Sequence, residues 1–391
     1  MIDDRIVSIL STLVAFDTTS RNSNLELIAW VEDYLKPLGF AMERVYDETG
    51  TKANLWATIG PQDRPGYVLS GHTDVVPVDG QNWTSDPFTL READGRFYGR
   101  GACDMKGFLA VCLARAQDMA KAKLERPIHL AFSYDEEVGC VGARNLAGWL
   151  TKQPVTPEAC FVGEPTSMQV VIGHKGKRSV RVKVRGLTQH SSLAPQGVNA
   201  VEFGAMLVAE IRRISDELSV SSNQDALYDV AHSTGHVGVL RGGTALNIVP
   251  DECEILFEFR VIGGDDPDAL VQRVVDYARN ELEPRMKAVD PSTGFDIEVY
   301  AGFPGLDTAP DAEIVTLAKK IAGRNDHAKV AFGAEAGLFD TIAGIPSVIV
   351  GPGAISQAHQ ADEWIAVSEL EKCDAFVERL IDRCTEGGGK S

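Results

Sequence analysis

Residues 67–77, YVLSGHTDVVP, begin as an apolar run and end on Gly71-His72 and then Asp74. A short run of this kind, without alternation, suits a strand covered on both faces. The same design returns twice. Ile128–Ser133 runs straight into Tyr134-Asp135-Glu136-Glu137, and Ala159–Val162 runs into Gly163-Glu164. Helical patterns lie around these strands. Ile6, Ile9, Leu10, Leu13 and Val14 recur at helical spacing, Asn24–Leu38 is amphipathic and stops at Gly39, and Met105–Ala122 reads as a helix. Apolar strands alternating with helices predict an α/β layer fold with a mostly parallel sheet.

Outward from that core, Thr89–Tyr98 reads as a hairpin around Asp94-Gly95, a pair suited to positive φ. The middle of the chain changes character. Ser179–Arg185 alternates like a strand buried on one face, and Asn199–Ile214 is helical. His236–Leu240 and Glu252–Arg260 are strands, Pro267–Leu282 is a helix capped by Asp266, and Phe295–Tyr300 is a strand. The order βαββαβ is a split βαβ arrangement. A second domain over residues 179–292 is therefore expected as an insertion, with 1–178 and 293–391 forming the first. After it come a helix near Ala312–Ala322, a strand at Val348–Val350 and a helix from Ser368.

The 391 residues are 44% hydrophobic and 24% charged, ordinary for a folded chain with length for a large core. Asp and Glu number 56 against 38 Lys and Arg, a net charge of −18. Such a surface repels nucleic-acid phosphates and anionic membranes, so neither is an expected partner. Asp3 and Asp4 stand where a secretory leader carries basic residues. Seven cysteines without a CxxC read as reduced thiols, and the expected location is cytoplasmic.

The chemistry gathers at the C-terminal ends of the predicted strands, the edge where open α/β sheets place ligands. His72 and Asp74 lie in GHTDVVP, Asp104 in GRGACDMKG, Glu136 and Glu137 in YDEEVG, Glu164 in VGEPT and His359 in GPGAISQAHQADEW. Singly, each has an ordinary reading: a loop histidine, a solvated acidic pair, an Asp capping a helix. Together, and leaving Asp74 aside, two histidines and four carboxylates on one edge have a chemical logic. Two divalent cations about 3.5–4 Å apart activate one water and polarise one carbonyl. Imidazole and carboxylate suit zinc-like ions, and one carboxylate can bridge the pair. A carboxylate left off the metals can carry the proton. Asp74, two residues after His72 on an extended segment, is placed to orient the imidazole.

The motifs GHTDVVP, GRGACDMKG, DEE, GEPT, a mid-chain QHSS and GPGAISQAH occur in the order found in the di-zinc aminoacylase and carboxypeptidase family, whose members include the succinyl-diaminopimelate desuccinylases. The chain resembles this family over nearly its whole length, and its acetylornithine deacetylase branch most. The resemblance implies a zinc-exopeptidase-like catalytic domain with an inserted ferredoxin-like dimerisation or lid domain, and hence a homodimer. It implies two divalent ions, Zn2+ or Co2+. His72, Asp104 and Glu164 would hold one, Asp104, Glu137 and His359 the other, and Glu136 would be the general base acting on a metal-bridging hydroxide. A cis Asp104–Met105 peptide is implied too. His190, in Gln189-His190-Ser191-Ser192, would donate to the oxyanion across the dimer. Asn247 and Arg260 would bind substrate, Arg260 through a two-pronged grip on a carboxylate. A turn cap for Asn247 and an exposed strand position for Arg260 are the ordinary alternatives.

Glu335 bears on the substrate. The acetylornithine deacetylase branch carries an acid at this position, and here it would attract a side-chain ammonium. The Thr usual before it is Ala334. The implied reaction is hydrolysis of N2-acetyl-L-ornithine to L-ornithine and acetate, a step of arginine biosynthesis. Succinyl-diaminopimelate desuccinylase and a broad aminoacylase or dipeptidase are the alternatives within enzymes. A different class, a nucleotide-binding module, is suggested faintly by Gly99-Arg100-Gly101 before a helix. That segment lacks a third glycine at the right offset and a following Gly-Lys-Ser/Thr.

Overall fold

The computed structural model describes residues 2–385. They form two compact units. One comprises the chain up to Gly173, Leu306–Lys329 and the chain from Ala334 onward; the other comprises His174–Gly305 and Val330–Gly333.

The first unit is built on a nine-stranded mixed sheet. Its centre is parallel. Tyr67–His72 lies between Ile128–Ser133 and Ala159–Val162, and Ser347–Ile349 adds to the latter, all in one direction. The flanks are antiparallel: Ala53–Ile59 pairs with Ile128–Ser133, and Ala41–Tyr46 with Ala53–Ile59. The central strands read as unbroken apolar runs because they are buried on both faces: every residue of Tyr67–His72 and of Ala159–Val162 is buried. Helices Asp4–Ala15, Gly107–Lys121 and Val367–Cys384 pack together, with Gly107–Lys121 against the central strands. The approach is close. A Cβ on Gly163 would lie 2.1 Å from the Phe108 ring, so only glycine fits directly before Glu164.

The first expectations hold in substance. The hairpin forms from Arg91–Ala93 and Arg96–Tyr98, with Asp94 and Gly95 both at positive φ. Gly39 ends the second helical segment at φ 86°. Sequence periodicity passed over helix Val141–Leu150 and the strands Ala41–Tyr46, Val170–His174 and His327–Val330. Ala41–Tyr46 is largely solvent-facing and His327–Val330 is only half-buried, so both carry little apolar signal.

The second unit is a four-stranded antiparallel sheet in the order Thr234–Gly242, Glu252–Val261, Gly176–Arg185, Gly294–Phe303. Helices Ala200–Ser219 and Pro267–Tyr277 cover it. Asn199 caps the first by accepting from the Val201 and Glu202 amides, and Asp266 caps the second from Asp268. Val180, Val182 and Val184 face the helices, as alternation requires. The unit is wider than 179–292. Gly176 and Lys177 pair with Val261 and Arg260, and Gly294–Phe303 pairs along Gly176–Arg185, so cross-strand hydrogen bonds carry the boundary out to His174 and Gly305. Among the described residues all seven cysteines are free and buried. No described helix is long and apolar enough to cross a membrane.

Candidate metal centre

His72 closes strand Tyr67–His72 and is buried. Its Nδ1 lies 2.8 Å from the Asp74 carbonyl oxygen, which can only accept, so Nδ1 carries the proton. When the ring is neutral its lone pair is therefore on Nε2, which points to Asp104 Oδ1 at 3.0 Å and Glu164 Oε1 at 3.8 Å. Asp104 sits in a tight turn after Gly101, whose φ of 80° suits glycine, and the Asp104–Met105 peptide is cis. The other Asp104 oxygen, Oδ2, lies 3.1 Å from His359 Nε2, and His359 Nε2 lies 3.1 Å from Glu137 Oε2. Asp104 thus presents one oxygen to each histidine. A carboxylate oxygen of Glu136 lies within 4.8 Å of the donor atoms of His72 and Glu164.

Asp74 acts differently from the expectation. Its backbone carbonyl orients His72, while its carboxylate stands 3.6 Å from the ring. That carboxylate accepts from the Glu136 and Glu137 amides at 3.0 and 3.3 Å and from Ser20 Oγ at 2.7 Å. It therefore fixes the acidic pair more than the imidazole. Asp135 and Cys140 bracket the pair in left-handed conformations, and Cys140 Sγ donates to Glu136 Oε1 at 3.0 Å.

The electrostatics are those of crowded acids. Burial raises the Glu164 carboxyl well above its usual range, and the Asp104 and Glu136 charges raise it further. Burial, with the Glu137 and Asp74 charges adding and His72 opposing, pushes Glu136 up to about 8. Burial pulls His72 down, but its hydrogen bond to Asp104 and the surrounding carboxylates more than reverse this. Hydrogen bonds to Asp104 and Glu137 lift His359 to about 10. Glu164 Oε1 is buried with no hydrogen-bond partner among the described residues. An orphaned carboxylate oxygen beside Asp104, Glu136 and Glu137 is costly unless a cation compensates it. The donor set fits such a cation. Tetrahedral ligands of zinc lie roughly 3.3–3.6 Å from one another, and the spacings here run from 3.0 to 3.8 Å.

Glu335 is held by two serines. It has no exposed surface, and its two oxygens accept from Ser70 Oγ and Ser133 Oγ, each at 2.6 Å. It directly precedes helix Ala336–Thr341 and is buried like His72, Asp104 and Glu164. Glu335→Ala is expected to cost about 1–3 kcal/mol of stability by stranding two buried hydroxyls. The loss is read in a urea melt; an intact melt with a raised KM would support the ligand role.

His190, Asn247 and Arg260 belong to the second unit. Its exposed loops bring His190 and Asn247 together: the Ser191 amide donates to the Asn247 carbonyl at 3.0 Å. The Ser192 amide donates to His190 Nδ1, which leaves Nε2 as the protonated nitrogen. Arg260 gives its Nε to Glu258 at 2.9 Å. Gly99-Arg100-Gly101 is no phosphate loop: the Arg100 guanidinium and the Gly101 amide are both taken by Glu363. Sequence reasoning passed over Ser20, Cys140 and Glu363, and met Arg100 only in the faint phosphate-loop reading. Only Glu363 carried a signal, as an acid four residues after His359 within a motif already singled out.

A profile described as Peptidase family M20/M25/M40 matches residues 68–383. Among solved structures, aminopeptidase PepT from Bacillus cereus is 23% identical, with TM-score 0.75 over 97% of this chain and 98% of that one. An M20 family metallo-carboxypeptidase from Sulfolobus solfataricus is 19% identical, with TM-score 0.75 over 97% and 99%. The YXEP protein of Bacillus subtilis, described as a dinuclear metal binding peptidase, is 14% identical, with TM-score 0.64 over 97% of each chain.

Proposed function

The chain belongs to peptidase family M20/M25/M40, and from that premise we propose that it hydrolyses the amide of short N-acyl amino acids, N2-acetyl-L-ornithine first. It is a metal-dependent hydrolase of the peptidase and aminoacylase type. One observation carries the assignment of its centre: the two oxygens of Asp104 face the Nε2 atoms of two different histidines. On this reading His72, Asp104 and Glu164 hold one cation and Asp104, Glu137 and His359 the other. When bound, such a pair acidifies a shared water and polarises the scissile carbonyl.

The remaining work falls to the chain's own side chains. Glu136 takes the proton of the attacking water at a carboxylate oxygen and returns it to the departing amine nitrogen. The carbonyl carbon gains a C–O bond and loses its C–N bond, so the products are acetate and the free amine. Asp74 holds Glu136 and Glu137 in place through their amides. Arg260 and Asn247 are proposed to grip the substrate α-carboxylate, and His190, with its donor on Nε2, to stabilise the oxyanion from the second subunit of a homodimer. Strand Thr234–Gly242 supports that dimer. It lies at one end of its sheet, and nearby Leu240, Leu246 and Ile248 are exposed. The motif likeness to the acetylornithine deacetylase branch supports the substrate.

A broad peptidase is the second reading. It is favoured by the engagement of both Glu335 oxygens with Ser70 and Ser133, and by solved relatives described as an aminopeptidase and a carboxypeptidase. The test strips the protein with chelator, adds back zinc or cobalt, and follows hydrolysis of N2-acetyl-L-ornithine, succinyl-diaminopimelate, N-acetylmethionine and a dipeptide. Activity should vanish on stripping and return with metal, with kcat/KM for acetylornithine at least tenfold above the others. A dipeptide turned over faster would favour the second reading. Activity indifferent to chelator would remove the metal centre altogether.

A further inference from the structure

The structure assigns Glu363 as a positioning residue that locks both histidine-facing oxygens of Asp104 in place by tying the Asp104 turn to the His359 loop; this rests on the metal-centre reading above. Glu363 has no exposed surface. Its Oε1 accepts from the Cys103 and Asp104 amides at 2.9 and 3.0 Å. Its Oε2 accepts from Arg100 Nη1 at 2.6 Å and from the Gly101 amide at 3.1 Å. Even its backbone carbonyl accepts from the Gly99 amide, at 2.9 Å. One residue thus holds the turn from residue 99 to residue 104 through five donors. Next to it, Trp364–Ala366 pairs with Arg96–Tyr98, so the strand leading into that turn is held as well.

The network closes on the other side of the centre. Arg100 Nη2 donates to Gln81 Oε1 at 2.6 Å, and Gln81 Nε2 donates to the His359 carbonyl at 3.0 Å. A ring therefore runs from Asp104 through Glu363, Arg100 and Gln81 to His359. The physical reason for a charged residue is plain. A buried carboxylate accepting several N–H bonds is rigid, and Arg100 balances its charge. Glutamine would place an NH2 group against donors and split the ring. Partners of this kind fix ligand orientation and typically carry 10–100-fold in metal affinity.

The test titrates zinc into chelator-treated full-length protein against a chromophoric competitor, records the Co2+ absorption spectrum, and melts the metal-free protein. Wild type should bind two ions. Glu363→Gln should weaken both by roughly 10–100-fold and alter the cobalt spectrum, because Asp104 serves both ions. Gln81→Ala, a milder change at a half-buried residue, should weaken only the ion assigned to His359. A folded Glu363→Gln binding two ions at wild-type affinity would overturn the assignment, even if the metal-free melt fell. If Glu363→Gln does not fold, Gln81→Ala with both affinities unchanged would overturn it. Wild type that binds no zinc would instead bring down the metal-centre reading itself.

Discussion

Glu136→Gln should fold like wild type, keep its two metals and lose roughly 10²–10⁴ in kcat, the range for removal of a general base. The loss should fall on kcat and not on KM, because the proton matters only in the transition state. The substitution is gentle where structure is concerned. The amide oxygen can still accept from Cys140 Sγ, and the Glu136 amide keeps its bond to Asp74. What disappears is an oxygen that can take a proton and give it back. The measurement is steady-state kinetics on acetylornithine beside metal analysis of the same preparation. A loss under tenfold, with metal content unchanged, would move the base elsewhere.

Asp104→Ala should leave fewer than one metal per chain, where His359→Ala should leave one. On the proposed reading Asp104 is shared by both sites: its Oδ1 faces His72 and its Oδ2 faces His359. Removing it takes a ligand from each site at once and leaves two histidines without their common carboxylate. The turn should survive, since Glu363 holds it through the backbone amides of Cys103 and Asp104, and those remain in the variant. Metal analysis after gel filtration reads the result. Two ions retained by Asp104→Ala would show that the sites are separate and that no bridge exists.

The solved relatives share the fold at 14–23% identity. At that distance the surroundings of the cations, and not the scaffold, decide which amide is cut. Both Glu335 oxygens are engaged with Ser70 and Ser133, and within the second unit Arg260 is engaged with Glu258.

Much of this protein could be read from residue order. Central strands buried on both faces must be apolar throughout, so YVLSGH, IHLAFS and ACFV announced themselves, and the acids that follow them marked the ligand-bearing edge. Alternation in Val180, Val182 and Val184 revealed the inserted sheet for the same reason, with one face covered and one wet. Which partner each group takes could not be read this way. Glu335 and Glu363 look like loop acids in sequence, yet both are fully buried, one under two serines and the other inside a ring of amides. Asp74 sits where a ring-orienting acid belongs, yet its carboxylate goes to two amides 62 and 63 residues away. Periodicity reports how much of a face is buried, a local property. Hydrogen-bond partnership depends on which distant loops the sheet brings to one edge, and only the folded chain decides that.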